Sequence, residues 1–181
     1  MQKRAEIGRR EHLTFKGNLR QTRYGWLRLT PAYSVHQVEE LLGDDGEDAV
    51  VLDPFCGTGT TALVCAGRGI ACDTTDINPF LVWLAQAKAA VYLPDEVEAF
   101  LARASRVADA IRSSNSGAGW APALHQIEKW WDAETLAALV RGMAAIRGLE
   151  DSAPPRTGDL LRITFCQTMM EHAHVSFGHQ S

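Results

Sequence analysis

The chain has 181 residues, 46% of them hydrophobic and 22% charged, with a formal net charge of −4. That length can bury the core of one ordinary domain, and the composition excludes a disordered or fibrous polypeptide. No stretch approaches the ~20 apolar residues of a membrane span, and the N-terminus has no apolar signal core. Cys56, Cys65, Cys72 and Cys166 form neither a CxxC pair nor a disulfide-like framework, so a reduced, cytoplasmic setting is expected.

Charge is unevenly spread. Residues 1–28 carry eight Lys/Arg against two Glu, while the remaining ten basic residues face twenty acids. A basic arm on an acidic body suits a phosphate-backbone partner, with a solvated tail as the competing reading. Within the arm Arg9, Arg10, Lys16, Arg20, Arg23 and Arg28 are the nucleic-acid candidates, through phosphates rather than base edges. Phe15, Tyr24, Trp26 and Leu27 suggest that its later part packs on the body.

After the arm, Thr30-Pro31 breaks the chain. Ser34 is placed to cap a helix whose apolar face is Val35, Val38, Leu41 and Leu42, ending at Gly43. "DDGED" reads as a turn. "AVVL" (49–52) reads as a strand buried on both sides. "TTALVCAG" (60–67) is helical, "IACDTTD" (70–76) a second strand, and "NPFLVWLAQAKAAVY" (78–92) a mostly apolar helix. Residues 95–112 have helical period, and "SSNSGAG" (113–119) is a connection. "LHQIEKWWDAETLAALVRGMAAIRG" gives one or two helices with Asp132 as a cap between them. "DSAPPRTG" (151–158) reads as a loop and "DLLRITFCQTMMEHAHVSFG" as a final helix. The order predicts an α/β fold with a parallel strand pair, followed by a helical segment.

The chemistry concentrates between Val51 and Phe80. A strand ends in Asp53, a glycine turn follows (Gly57-Thr58-Gly59), and Thr60 opens a helix. Glycines admit positive φ and close ligand approach, and the helix start offers unpaired N–H groups. No lysine follows to make a P-loop, and the third glycine of a dinucleotide fingerprint is missing. An aspartate at the strand end repels pyrophosphate and favours a cationic amine or sulfonium. Asp76, at the end of the next strand, is spaced like a ribose-binding acid. The alternative is that both acids are merely helix caps on loops.

"DPFCGTGTT" followed by "DINP" resembles the cofactor motif of DNA methyltransferases that modify exocyclic amines, at cytosine N4 or adenine N6. The resemblance implies a Rossmann-like class I methyltransferase core, here an incomplete parallel sheet with an added helical segment, and S-adenosyl-L-methionine as cofactor. It makes Thr58 and Thr60, which opens the helix, cofactor-binding, puts Asp53, Phe55, Gly57 and Gly59 along the methionine side, and has Asp76, with Ile77 and Asn78 beside it, frame adenosine. "RLTPAYSVHQVEELL", with Thr30, is similar to the helix motif that closes over the methionine end in circularly ordered members. DNA as partner and a restriction–modification setting follow from the same resemblance.

The family activates its poorly nucleophilic amine with (Asp/Asn/Ser)-Pro-Pro-(Tyr/Phe). "APPR" (153–156) and "NPF" (78–80) do not fit, and no Pro-Cys occurs for thiolate chemistry. No catalytic residue is therefore assigned. Either a second subunit supplies the catalytic and target-recognition parts, or the chain is a truncated product. An RNA methyltransferase component and a non-catalytic assembly subunit remain the alternatives. The expected organisation is a basic arm (1–28), a cofactor-binding core (29–92) and a helical segment (93–181). Glu171, His172, His174 and His179 lack metal-ligand spacing, so no metal site is assigned. Trp83, Trp130 and Trp131 read as packing residues.

Overall fold

The computed structural model describes residues 18, 23–27, 32–44, 49–113, 119–150 and 155–175. These divide into two compact units, Met1–Ala89 and Ala90–Ser181.

In the first unit α1 (Val35–Leu42) follows Ser34, and two four-residue strands, β1 (Val50–Asp53) and β2 (Ala71–Thr74), flank α2 (Thr60–Arg68). The strands pair in parallel, Val50 opposite Ala71 and Asp53 opposite Thr74. α3 (Pro79–Ala89) completes the unit. The fold is α/β, as the alternation of apolar periods predicted. Val35, Val38 and Val64 form a buried cluster that Tyr24 and Leu42 extend. Asn18 is a clamp on the approach to α1: its side-chain amide donates to the Tyr33 carbonyl at 2.7 Å, and its oxygen accepts from Val35 N–H at 2.9 Å.

One expectation is corrected. β1 is not buried on both sides: Val50 and Leu52 are 72% and 68% exposed, while Val51 and Asp53 turn inward. Among the described residues the sheet has only two strands, and α2 packs against them from one side. An uninterrupted apolar run therefore faces alternately inward and outward, because side chains on a strand alternate between faces.

The second unit is helical: α4 (Pro94–Arg112), a 3-10 turn (Ile127–Lys129), α5 (Ala133–Glu150) and α6 (Pro155–Glu171). Glu96 accepts the Leu93 N–H at 2.9 Å at the start of α4, with Pro94 in the first turn. Asp132 caps α5 as predicted, its carboxylate accepting from Thr135 N–H at 2.7 Å. α6 begins earlier than expected. Pro155, read as loop, is its first residue, where a missing N–H costs nothing. Arg156 behind it donates to the Val91 carbonyl at 2.7 Å, so Pro155-Arg156 is a helix start with a structural arginine. Trp131 is buried and donates Nε1–H to the Met169 carbonyl at 2.9 Å, the packing role expected of it.

Val107, Ile146 and Leu161, one from each long helix, form the core of this unit. Ile146 is 1% exposed at its centre. Ile146→Ala is expected to destabilise the unit by about 3 kcal/mol, from lost transfer energy plus a cavity that helices cannot close. Urea unfolding of fluorotryptophan-labelled protein, read at the Trp131 fluorine signal, measures this. A loss below about 1 kcal/mol would show that the three helices repack freely around the gap.

Candidate functional site

The site grows from the way the two strands end. Asp53, buried to 8% exposure, closes β1, and its Oδ1 accepts the Phe55 N–H at 3.0 Å, bending the chain over itself. The two loops beyond the strands are then zipped together. Thr75 N–H donates to the Asp53 carbonyl at 3.0 Å, Cys56 N–H to the Thr75 carbonyl at 2.8 Å, and Thr75 Oγ1–H to the Pro54 carbonyl at 3.1 Å. The parallel ladder thus continues into irregular chain and delivers the glycine turn beside Asp76. Gly57 and Gly59 both have positive φ, +51° and +80°, and α2 starts at Thr60.

Asp76 joins the two loops. Its Oδ1 accepts from Asn78 N–H at 2.8 Å and its Oδ2 from Gly57 N–H at 2.9 Å. These donors, Asn78 first and Gly57 second, hold its carboxyl below the usual carboxylate range. Asn78 in turn accepts the Phe80 N–H on its side-chain oxygen at 3.0 Å and starts α3. Neither acid is the helix cap of the alternative reading: Gly59 precedes α2 and Asn78 precedes α3, and both carboxylates instead close turns within the loops. Asp76, however, also faces open space.

That space is a cavity of about 390 Å³ bounded by Ala32, Tyr33, Phe55, Cys56, Gly57, Thr58, Thr60, Asp76 and Leu81. Five of the candidates, Phe55, Gly57, Thr58, Thr60 and Asp76, meet on its wall. The other four described candidates do not. Asp53 lies under the turn, Gly59 is packed against Ala85, Ile77 is fully exposed, and Asn78 is engaged at the start of α3. Thr30 lies outside the described residues, as do Arg9, Arg10, Lys16, Arg20 and Arg28. Arg23 is described: its guanidinium donates to the Lys88 carbonyl at 3.1 Å and lies 5.6 Å from the Trp26 ring centre.

Sequence reasoning missed Ala32, Tyr33, Cys56 and Leu81 on the wall. Tyr33 and Leu81 arrive from α1's approach and from α3, so only the tertiary fold brings them in. Cys56 carried a signal, its place within the glycine loop, but its small apolar character pointed to packing. It is indeed buried, and burial pushes its thiol up, keeping it neutral.

Electrostatically the wall is one-sided. Asp76 supplies a negative charge, Tyr33, Phe55 and Leu81 supply apolar contact, and no Lys or Arg side chain is on the described wall. Such a cavity suits a neutral or cationic ligand with hydroxyl groups and disfavours polyphosphate.

Behind the wall is a group the sequence reading passed over. Lys88 in α3 is 1% exposed, and its ammonium donates to the carbonyls of Thr58 at 3.2 Å and Tyr24 at 3.3 Å. Burial pulls its pKa down from 10.5 to about 8. Because the folded value is depressed, the unfolded chain binds more protons between about pH 8 and 10.5, and stability rises with pH there. From about pH 8 upward this is opposed. Burial raises the Cys56, Cys72 and Tyr24 values, Cys72 to about 12, and those groups lose stability as pH climbs. Against Lys88→Met, which keeps the same thiols and phenol, the wild-type first unit is therefore expected to gain about 1 kcal/mol between pH 8 and 9. Urea unfolding of both proteins, read at the fluorine signal of Trp83, measures it; a flat or falling difference there would contradict a charged, buried Lys88.

Comparison with known proteins finds relatives over part of the chain. Over 72 residues, 39% of this chain, the sequence is 31% identical to the type II methyltransferase M.AvaI of Nostoc sp. (strain PCC 7120 / SAG 25.82 / UTEX 2576) and to M.AvaI of Anabaena variabilis. Over 76 residues it is 32% identical to the type II methyltransferase M.BsoBI of Geobacillus stearothermophilus. The matched part spans 15% of each of these relatives. No protein-family model matches the chain, and no solved structure matches it.

Proposed function

We propose that this chain, related over part of its length to type II DNA methyltransferases, is the S-adenosylmethionine-binding part of a site-specific DNA methyltransferase. The target is an exocyclic amine, cytosine N4 or adenine N6, and the amine-activating motif comes from outside the sequence in hand. The observation that carries the reading is Asp76, an ionised carboxylate on a cavity wall that offers no cationic side chain among the described residues.

The residues fit that cofactor. A carboxylate has about four acceptor sites, so after taking the Gly57 and Asn78 N–H groups Asp76 can still receive two ribose hydroxyls. Tyr33, exposed in the structure, offers aromatic surface for the adenine ring, and Phe55 on the same wall stays with the methionine side. Gly57 and Thr58 let the backbone approach the methionine portion, and Asp53 beneath the turn adds negative potential towards a sulfonium. When bound, the cofactor supplies an electrophilic methyl group. The chain's own task is to orient it and keep phosphate ligands out.

The nucleophilic side of the reaction is, in this reading, supplied by a partner chain or missing through truncation. Val50 and Leu52 are exposed on a parallel sheet that has two strands among the described residues, a face that parallel sheets ordinarily keep covered. Calorimetry with S-adenosylmethionine, NAD and ATP tests the cofactor. Saturable binding of the first alone is expected, and capture of either nucleotide instead would end the proposal. Transfer of labelled methyl to DNA or RNA, with the neighbouring reading frame's product added, distinguishes substrates and exposes a purely structural subunit by its lack of turnover.

A further inference from the structure

We propose that Lys88 is the positioning residue of the glycine loop. Its buried ammonium fixes the Thr58–Gly59 peptide from behind the cavity and ties that loop to the Arg23–Gly25 turn.

The geometry is specific. The Thr58–Gly59 peptide is held at both ends, the Thr58 carbonyl accepting from Lys88 Nζ–H at 3.2 Å and the Gly59 N–H donating to the Cys56 carbonyl at 2.9 Å. A peptide pinned on its two sides cannot rotate, and Thr58, on the cavity wall, is fixed with it. The link to the turn is reciprocal. Lys88 Nζ donates to the Tyr24 carbonyl at 3.3 Å, while Arg23 donates to the Lys88 carbonyl at 3.1 Å. Side chain holds main chain in both directions.

The chemistry explains why a lysine sits there at the expense of desolvation. Its two described acceptors are main-chain carbonyls, which buried without donors would each be costly. A methionine of similar length fills the volume and leaves both unsatisfied. The lowered pKa is the mark of that desolvation. The neighbours on α3, Leu84, Ala85 and Ala87, are all buried, so Lys88 enters the interior from an apolar helix face. Its role is to reach the loop.

The test is Lys88→Met in the full chain, read by amide hydrogen exchange. Gly59 N–H is expected to exchange at least about tenfold faster relative to Val64 N–H in α2, because the pinned peptide is released while the helix is not. Unchanged relative protection of Gly59 overturns the proposal. Should the variant not fold, the wild-type chain decides. A slowly exchanging Lys88 ammonium with through-hydrogen-bond correlations to the Thr58 and Tyr24 carbonyl carbons supports the role, and their absence removes it. One further arm rests on the cofactor reading: S-adenosylmethionine is expected to bind Lys88→Met at least about tenfold more weakly. If the wild type binds none, that reading fails, yet the Gly59 exchange still reports on Lys88.

Discussion

Gly59→Ala is expected to destabilise the first unit by about 2–4 kcal/mol, from two costs that act together. The residue has φ of +80°, where an L side chain is strained. A methyl group there would also stand 2.7 Å from the Ala85 Cβ and 2.8 Å from its Cα, so the obstacle includes the main chain of α3 and cannot swing aside. Relief requires the start of α2 to move off α3, which opens the glycine loop and the cavity with it. Gly57→Ala is the built-in control. Its φ of +51° carries the conformational cost, but the nearest atom to an added methyl is the Phe55 carbonyl oxygen at 3.8 Å, so about 1 kcal/mol is expected. Urea unfolding of both variants, read at Trp83, gives the comparison. Equal losses would mean that backbone conformation, and not the approach of α3, is what Gly59 serves.

Asp76→Ala is expected to weaken S-adenosylmethionine binding by about a hundredfold, with the fold retained. The carboxylate anchors Gly57 N–H and Asn78 N–H and, in the proposed function, the two ribose hydroxyls. Asp76→Asn is expected to be nearly as damaging. An amide keeps one acceptor oxygen and turns two donors towards an N–H that also donates, so one of the two loop contacts becomes repulsive. Because its folded pKa is depressed, the contribution of Asp76 is present above its unfolded value and lost only as pH falls through the lower folded one. Wild-type affinity should therefore hold through mildly acidic solution. Calorimetry of the three proteins checks this, and an Asp76→Ala affinity within about twofold of wild type would remove the ribose assignment.

Much of the scaffold was legible in advance. The four-residue apolar run, the glycine turn and the second acid predicted β1, the loop and β2 because each rests on chemistry local to a few residues. Asp132 and the start of α4 were similarly local. The misreadings share a cause in long-range geometry. β1 was expected to be buried on both faces, yet Val50 and Leu52 are exposed, since covering a strand depends on what packs beside it. The direction a side chain would take from Gly59 is filled by Ala85, a neighbour the glycine turn alone does not reveal. Lys88 went unnoticed because an isolated lysine in a sequence looks like solvated surface.

The order of elements, the placement of two acids after neighbouring strands and the partial kinship with type II DNA methyltransferases were all determined by the sequence. These depend on residue type and spacing, which a linear reading retains. Only the tertiary structure decided which candidates share a cavity: it set Tyr33, Phe55, Thr58 and Asp76 on one wall and drew Asp53 beneath the turn. It alone revealed the ammonium behind the loop. A wall is made by segments that meet across the fold, and the direction in which a side chain leaves its backbone is set by packing rather than by its neighbours in the chain.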